Sequence, residues 1–410
     1  MSMAATASVR TAAIQCLPVI GDTREAFERV EALLPGIRAR AGRAEAERRI
    51  PDETIAEIRE QGLFGIATPK AYGGSELGFA TLVEISSRLA SACGSTGWVF
   101  GVLTGHNWMV SLLPEKAQDE VFGDPRALTA SVFRMGGKVV PVDGGFHLTG
   151  GEGRFCSGID FADWVVIGNA VQRTDAPPEP RFFLIPKSSV EIVDDWYTTG
   201  MRGTGSRSIR VADAFIPEHR SMLVADMARG TTPGALLHAR SPGYAVPFPV
   251  AQPFSLIGNP LGMAKGALDA FAQSLAKKLA GYAPEQVSEQ GASFARLSRA
   301  AAEIDAARAL VLADAAFLDR TTEPSKLSAL DRTRIQRDFA YAAQQCRYAV
   351  TSLFEASGGT GIYDGSVVQR FWRDCNSASA HTAFNWDDAA GGFSRAFLDL
   401  PPSRFAGPRR

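Results

Sequence analysis

Residues Gly150–Gly168 read G-G-E-G-R-F-C-S-G-I-D-F-A-D-W-V-V-I-G, and this run decides how the chain is organised. It opens in turn chemistry, passes the small cluster Cys156-Ser157-Gly158 and ends in the apolar run Trp164–Ile167. Glycines keep side chains off the backbone there, so a flat ligand could lie against it with the Ser157 hydroxyl alongside. Short β-type runs surround the stretch: a hairpin of Val139–Val142 and Phe146–Thr149 about Asp143-Gly144-Gly145, then Phe182–Ile185, Ile209–Val211 and Phe215-Ile216. Several short strands with no helix between them predict an antiparallel sheet.

Outside this centre the pattern is helical. On the N-terminal side Phe27, Val30, Leu34 and Ile37 share one face of Glu25–Arg49, which Pro35-Gly36 is expected to kink or divide. Pro51-Asp52-Glu53 starts a second helix that Gly62 stops; Leu82, Ile85 and Leu89 mark a third over Thr81–Cys93. The apolar segment Val99–Leu113 carries His106, Asn107 and Trp108. After a Pro- and Gly-rich connector near 230–253 come three long stripes. They are Leu261 to Leu279, Leu297 to Leu318, and Ile335 to Leu353, and they predict helix-on-helix packing. A last helix is expected near Val367–Thr382. The fold class is thus α+β, mostly α, divided as an N-terminal helical domain (1–124), a central antiparallel β domain (125–229) and a C-terminal helical bundle (230–410).

Composition narrows the function. The chain has 410 residues, 45% hydrophobic, with a formal net charge of −1, so no nucleic-acid footprint is present. Five cysteines without a C-x-x-C pair argue for reduced thiols, and neither a disulfide frame nor a metal site is expected. Gln15 and Pro18 interrupt the apolar run Thr11–Ile20, and no run approaches membrane-spanning length. A cytoplasmic protein is expected. Gly359-Thr360-Gly361 lacks the third glycine of a dinucleotide fingerprint, and P-loop, HExxH and G-x-S-x-G motifs are absent. A self-contained nicotinamide site is therefore not expected.

Three pieces, in order, carry a family resemblance: Gly94-Ser95-Thr96-Gly97-Trp98 with His106-Asn107-Trp108; Phe155–Trp164 with Gly200–Ser206; and Gln369–Asp374 running to His381. The chain resembles the oxygenase components of two-component flavin-dependent monooxygenases built on the acyl-CoA dehydrogenase fold. That group includes hydroxylases of steroid phenols, p-hydroxyphenylacetate and polyketides. The resemblance spans about Glu25 to Leu398. It implies a C-terminal four-helix bundle, a homotetramer, reduced FMN or FAD (FMNH2 or FADH2) between sheet and bundle, O2 as co-substrate, and a separate NAD(P)H-dependent flavin reductase. It further implies that Phe155, Cys156 and Ser157 line the isoalloxazine, with Ser157 near N5. Thr204 and Ser206 lie close by, and Lys278, Gly358 and Gly359 are candidates for the phosphate end. Catalysis would proceed through a flavin C4a-hydroperoxide in a dry pocket.

For a phenolic substrate the resemblance makes His381 the base and His106 a substrate contact, with Trp108, Asn385 and Trp386 lining the pocket. Each histidine taken alone is an ordinary core residue, and His147, His219 and His238 are left structural. Arg373-Asp374 is read as an ion pair. Gly361–Asp387 contains no glutamate, unlike most of the parent dehydrogenases, which carry a catalytic glutamate in this segment. An acyl-CoA dehydrogenase, an N- or S-oxygenase of an amino sugar or thioether, and a helical scaffold that has lost flavin remain the alternatives.

Overall fold

The structure, a computed structural model, describes residues 17–402. Cys16 and the first part of the Thr11–Ile20 run lie outside the described residues. Five helices come first: α1 (Thr23–Glu47), α2 (Asp52–Glu60), α3 (Phe79–Ala92), α4 (Gly94–Val110) and α5 (Glu115–Phe122). Eight strands follow: β1 (Thr129–Val132), β2 (Lys138–Val142), β3 (Gly145–Cys156), β4 (Trp164–Val171), β5 (Glu179–Pro186), β6 (Glu191–Val193), β7 (Arg207–Pro217) and β8 (Ser221–Leu223). Helices then return as α6 (Val224–Arg229), α7 (Pro233–Leu237), α8 (Phe248–Ala251), α9 (Phe254–Leu279), α10 (Pro284–Ser288), α11 (Gly291–Asp319), α12 (Ala329–Ala356), α13 (Val367–Ala378) and α14 (Trp386–Phe397).

The expected stripes become the core. Val30, Leu34 and Ile37 are buried on α1, which runs unbroken through Pro35. Helix α9 packs against α3, α4, α11, α12 and α13, so the C-terminal bundle is cemented to the N-terminal helices along one shared rod. Close approach is achieved with small residues: a β-carbon at Gly101 of α4 would lie 2.1 Å from the Ser255 carbonyl oxygen of α9. Burial of α4 is almost complete, with only Gly105 less than fully buried, which is why its sequence shows no polar face.

The strands form one sheet in the order β6-β7-β3-β2-β4-β5-β8, with β1 beside β4. Pairing is mainly antiparallel, but β1 joins β4 in parallel through Thr129↔Trp164 to Val132↔Ile167. The runs at Ile209–Val211 and Phe215-Ile216 prove to be one long strand, β7, paired along β3. The hairpin of β2 and β3 turns at Gly144, whose φ of +74° requires the left-handed region. The last helix spans Val367–Ala378, ending short of His381, and α14 follows it.

Candidate active site

The β3–β7 register slips between Gly153 and Cys156. Such a slip re-aims side chains at the end of a strand. Phe155 takes a positive φ of +67° and is 69% exposed, while Cys156 turns inward and is fully buried. Burial drives the Cys156 thiol well above its ordinary pKa, so it is an inert wall and not a nucleophile. Gly158, also left-handed at +72°, lets the chain pass Leu103 of α4; a β-carbon there would meet the leucine at 3.0 Å. Ser157 is thereby presented between the sheet and the N-terminal end of α4.

Its hydroxyl joins a chain of buried polar groups. The Trp98 indole donates from Nε1 to Ser157 Oγ at 3.2 Å, and Ser157 Oγ is 2.6 Å from Ser206 Oγ. Ser206 Oγ is in turn 2.6 Å from Thr204 Oγ1, which donates to the Met201 carbonyl at 2.9 Å. The loop that carries Thr204 and Ser206 is pinned from below. Buried Asp374 of α13 accepts the Met201 N–H at 2.6 Å, and Trp196 donates from Nε1 to the Met201 carbonyl at 3.0 Å. Desolvation raises the Asp374 carboxyl to about 6. The expected Arg373–Asp374 ion pair is not formed. Arg373 pairs instead with Glu45 of α1 at 2.6 Å and donates to the Thr199 carbonyl at 2.8 Å, tying α1, α13 and the loop together.

The two site histidines occupy different surroundings. His381 faces the Trp98 ring, centroids 5.8 Å apart, and lines a small cavity of about 230 Å³ with Gln344, Arg347, Asn385 and Trp386. His106 lines a larger cavity of about 690 Å³ bounded by Phe79, Trp108, Tyr244, Phe248 and Ser255. The two therefore do not share one pocket within a single chain. Along α4 they are linked by geometry: Trp98 and His106 are eight residues apart, about 12 Å of helix.

Hydrogen-bond accounting fixes the tautomer of each ring. His106 Nδ1 lies 3.2 Å from the Thr129 carbonyl, which can only accept, so Nδ1 carries the proton and Nε2 the lone pair. Ser131 of β1 donates to that Nε2 at 2.9 Å. His381 is reversed: the Ala383 N–H donates to its Nδ1 at 3.1 Å, leaving the proton on Nε2. Desolvation lowers both imidazoles to about 4, so both are neutral at physiological pH. Of the carboxylates that line the large cavity, Glu84 pairs with Arg308, Asp319 caps α3 by accepting from the Phe79 and Ala80 N–H groups, and Glu76 accepts from the Ser241 hydroxyl at 3.1 Å.

Of the other expected residues, Trp108 lines the large cavity and Asn385 and Trp386 line the small one beside His381, while Lys278, Gly358 and Gly359 line neither. Asn385 caps α14 by accepting the Asp388 N–H, and Trp386 packs on Tyr341. Lys278 sits over the Tyr282 ring at the end of α9, and Gly358-Gly359 form an open turn after α12. His147, His219 and His238 bond to Asp213, Glu120 and Gln118. Sequence reasoning assigned no role to Trp98 or Ser131 and cast Asp374 only as an ion-pair partner. Trp98 was visible in the Gly94–Trp98 run; β1 is too short and too buried to show an alternating signal.

Comparison with known proteins agrees with this fold. The family profile described as acyl-CoA dehydrogenase, N-terminal domain, matches residues 28–122, and that of the C-terminal domain matches residues 256–386. A pigment production hydroxylase of Rhodococcus sp. (strain ATCC 21145) is 36% identical over 382 residues, covering 92% of this chain and 97% of that protein. The FADH2-dependent resorcinol hydroxylase oxygenase component of Rhizobium sp. (strain MTP-10005) is 32% identical, covering 91% and 94%. The crystal structure of the HsaA monooxygenase from M. tuberculosis superposes with a TM-score of 0.87 at 34% identity, covering 94% of this chain and all of that one. The chain belongs to the flavin-dependent monooxygenases of the acyl-CoA dehydrogenase fold, as the oxygenase component of a two-component system whose reduced flavin comes from a separate reductase.

Proposed function

We propose that this oxygenase hydroxylates an aromatic phenol held in the 690 Å³ cavity against His106. The observation that carries this is the Ser131–His106–Thr129 triad at an aromatic-walled cavity. Nε2 of an imidazole that is neutral at physiological pH is the acceptor there, reached through the Ser131 hydroxyl. The volume suits a substrate of several rings or a substituted single ring. A phenol hydroxyl meeting this pair would donate to Ser131 Oγ, which itself donates to Nε2, and the polarised O–H leaves the ring richer in electron density. The roles of the two histidines are thus redistributed from the sequence expectation. His106 is the hydrogen-bond acceptor behind Ser131 at the substrate, and His381 presents an N–H from Nε2.

Reduced flavin would be held beside Trp98, whose indole bonds to Ser157 and whose ring faces His381. Phe155, Cys156 and the Ser157 hydroxyl would form the wall for its ring, with Ser157 at N5 and the Thr204–Ser206 loop behind. When bound, the flavin supplies the electrons that activate O2, one oxygen atom going to substrate and the other to water. Apolar α4 keeps water out of the site. Lys278, Gly358 and Gly359 are assigned to the phosphate end across a subunit boundary. A homotetramer is supported by the apolar side chains exposed on the C-terminal helices and their connections, among them Tyr341, Tyr348, Ile362, Tyr363, Phe397 and Leu398. The 1–124, 125–229 and 230–410 division and a cytoplasmic location belong to the same proposal. No helix among the described residues is long and apolar enough to cross a membrane.

The test is single turnover. Protein preloaded anaerobically with reduced FMN or FAD is mixed with 18O2 and a phenol panel that includes resorcinol. Label in a hydroxylated product, lost or reduced at least a hundredfold in His106→Phe, is the expected outcome. Peroxide as the sole product across phenols of one to four rings would refute the aromatic assignment.

A further inference from the structure

Thr204 and Ser206 do more than pack the loop: we infer that they fix the direction of the hydrogen-bond chain so that Ser157 offers the flavin only a lone pair, which makes the site selective for flavin protonated at N5. This rests on the placement of Ser157 at flavin N5 proposed above. The direction follows from counting protons. The Met201 carbonyl has none to give, so the Thr204 hydroxyl proton points at it, at 2.9 Å. Thr204 can then only accept from Ser206 across 2.6 Å, which uses the one proton of Ser206. Ser206 can in turn only accept from Ser157 across 2.6 Å, which uses the one proton of Ser157. Trp98 Nε1, a donor with no acceptor capacity, takes one Ser157 lone pair at 3.2 Å. One lone pair remains on Ser157 Oγ, and no proton.

The start of this chain is held firmly. Met201 has a left-handed φ of +57°, its N–H is held by buried Asp374, and its carbonyl also receives the Trp196 indole. Ser157, Thr204 and Ser206 are all buried, so water does not supply a substitute proton. Reduced flavin carries a proton on N5 and donates to the open lone pair. Oxidised flavin presents a lone pair at N5, which faces another lone pair. Binding it well requires the hydroxyl chain to be broken or reversed against the Met201 carbonyl. The enzyme would thereby retain the form delivered by the reductase and release the spent form. Thr204 and Ser206 are positioning residues in this scheme, acting through Ser157.

The experiment measures dissociation constants of reduced FMN (anaerobically) and oxidised FMN, together with the midpoint potential of bound FMN. It compares wild type, Thr204→Val, Ser206→Ala, Ser157→Ala and the conservative Thr204→Ser. Wild type is expected to bind reduced FMN more tightly. Thr204→Val and Ser206→Ala each free the Ser157 proton to serve oxidised N5, so the ratio of oxidised to reduced dissociation constants should fall about tenfold. Tenfold corresponds to about 30 mV of downward shift in the bound potential for a two-electron couple. Thr204→Ser should restore the wild-type ratio, which a loop that had merely lost packing would not. If Ser157→Ala moves the ratio while Thr204→Val and Ser206→Ala leave it at the wild-type value, the polarity inference is overturned and the placement of Ser157 stands. If Ser157→Ala moves neither constant, the placement itself is wrong, and the inference goes with it.

Discussion

Asp374→Asn tests the buried anchor beneath the hydroxyl chain. The Asp374 carboxyl is buried on α13 and accepts the Met201 N–H, and desolvation raises it from an ordinary value of 3.8 to about 6. Arg373 and Arg370 oppose that rise and Glu45 assists it, but burial dominates. A carboxyl whose folded value is raised holds its proton more tightly in the folded state. Its contribution to stability is therefore fully present below 3.8 and is lost as pH rises through about 6. About two pKa units at 1.36 kcal/mol each set the size, on the order of 2–3 kcal/mol between pH 4 and 7.5. Asparagine keeps an acceptor for Met201 and has no charge to desolvate, so its stability should lack this decline. The two neutral histidines titrate in both proteins and cancel in the comparison. The assay is equilibrium urea unfolding of both proteins at pH 4, 5, 6 and 7.5, at one protein concentration because assembly contributes to apparent stability. The variant's stability relative to wild type should rise by that amount across the series. A fixed offset cancels in the comparison, whatever the new amide group costs. A relative stability that is flat with pH, or that falls, would refute the assignment of a buried, reluctantly ionised Asp374.

Three further outcomes are expected. Trp98→Phe removes the indole donor to Ser157 while keeping an aromatic ring beside His381, and should weaken reduced-flavin binding by about 1 kcal/mol, read by anaerobic titration. His106 and His381 have folded values depressed from 6.5 to about 4, so the stability that their neutral burial confers is present above pH 6.5 and is lost as pH falls toward 4. His106→Gln, which cannot titrate, should therefore unfold at lower pH than wild type in an acid titration followed by circular dichroism. Gly101→Ala places a β-carbon 2.1 Å from the Ser255 carbonyl oxygen, forcing α4 from α9 at a cost of roughly 1–3 kcal/mol, measured as a lowered urea midpoint.

Amino-acid order alone determined the helix–sheet–helix succession, because apolar residues spaced by three or four along α1, α9, α11 and α12 can be buried only by helix packing. It also marked the Gly150–Gly168 centre and the run to His381, since turn chemistry and a family pattern are local. What it did not contain was the parallel strand β1, four residues long and buried on both faces, which gives no alternating signal. Ser131 was hidden with it. Nor could spacing tell which nitrogen of each histidine holds its proton. That depends on a carbonyl of β1 facing His106 and a backbone N–H facing His381, contacts made only once the chain is folded. The same holds for Asp374: its neighbour in sequence, Arg373, turns to Glu45, while the carboxylate reaches 173 residues back to Met201. Periodicity specifies what must be buried, and tertiary packing decides which polar groups meet there, because a hydrogen bond depends on distances of a few tenths of an ångström that no spacing in sequence encodes.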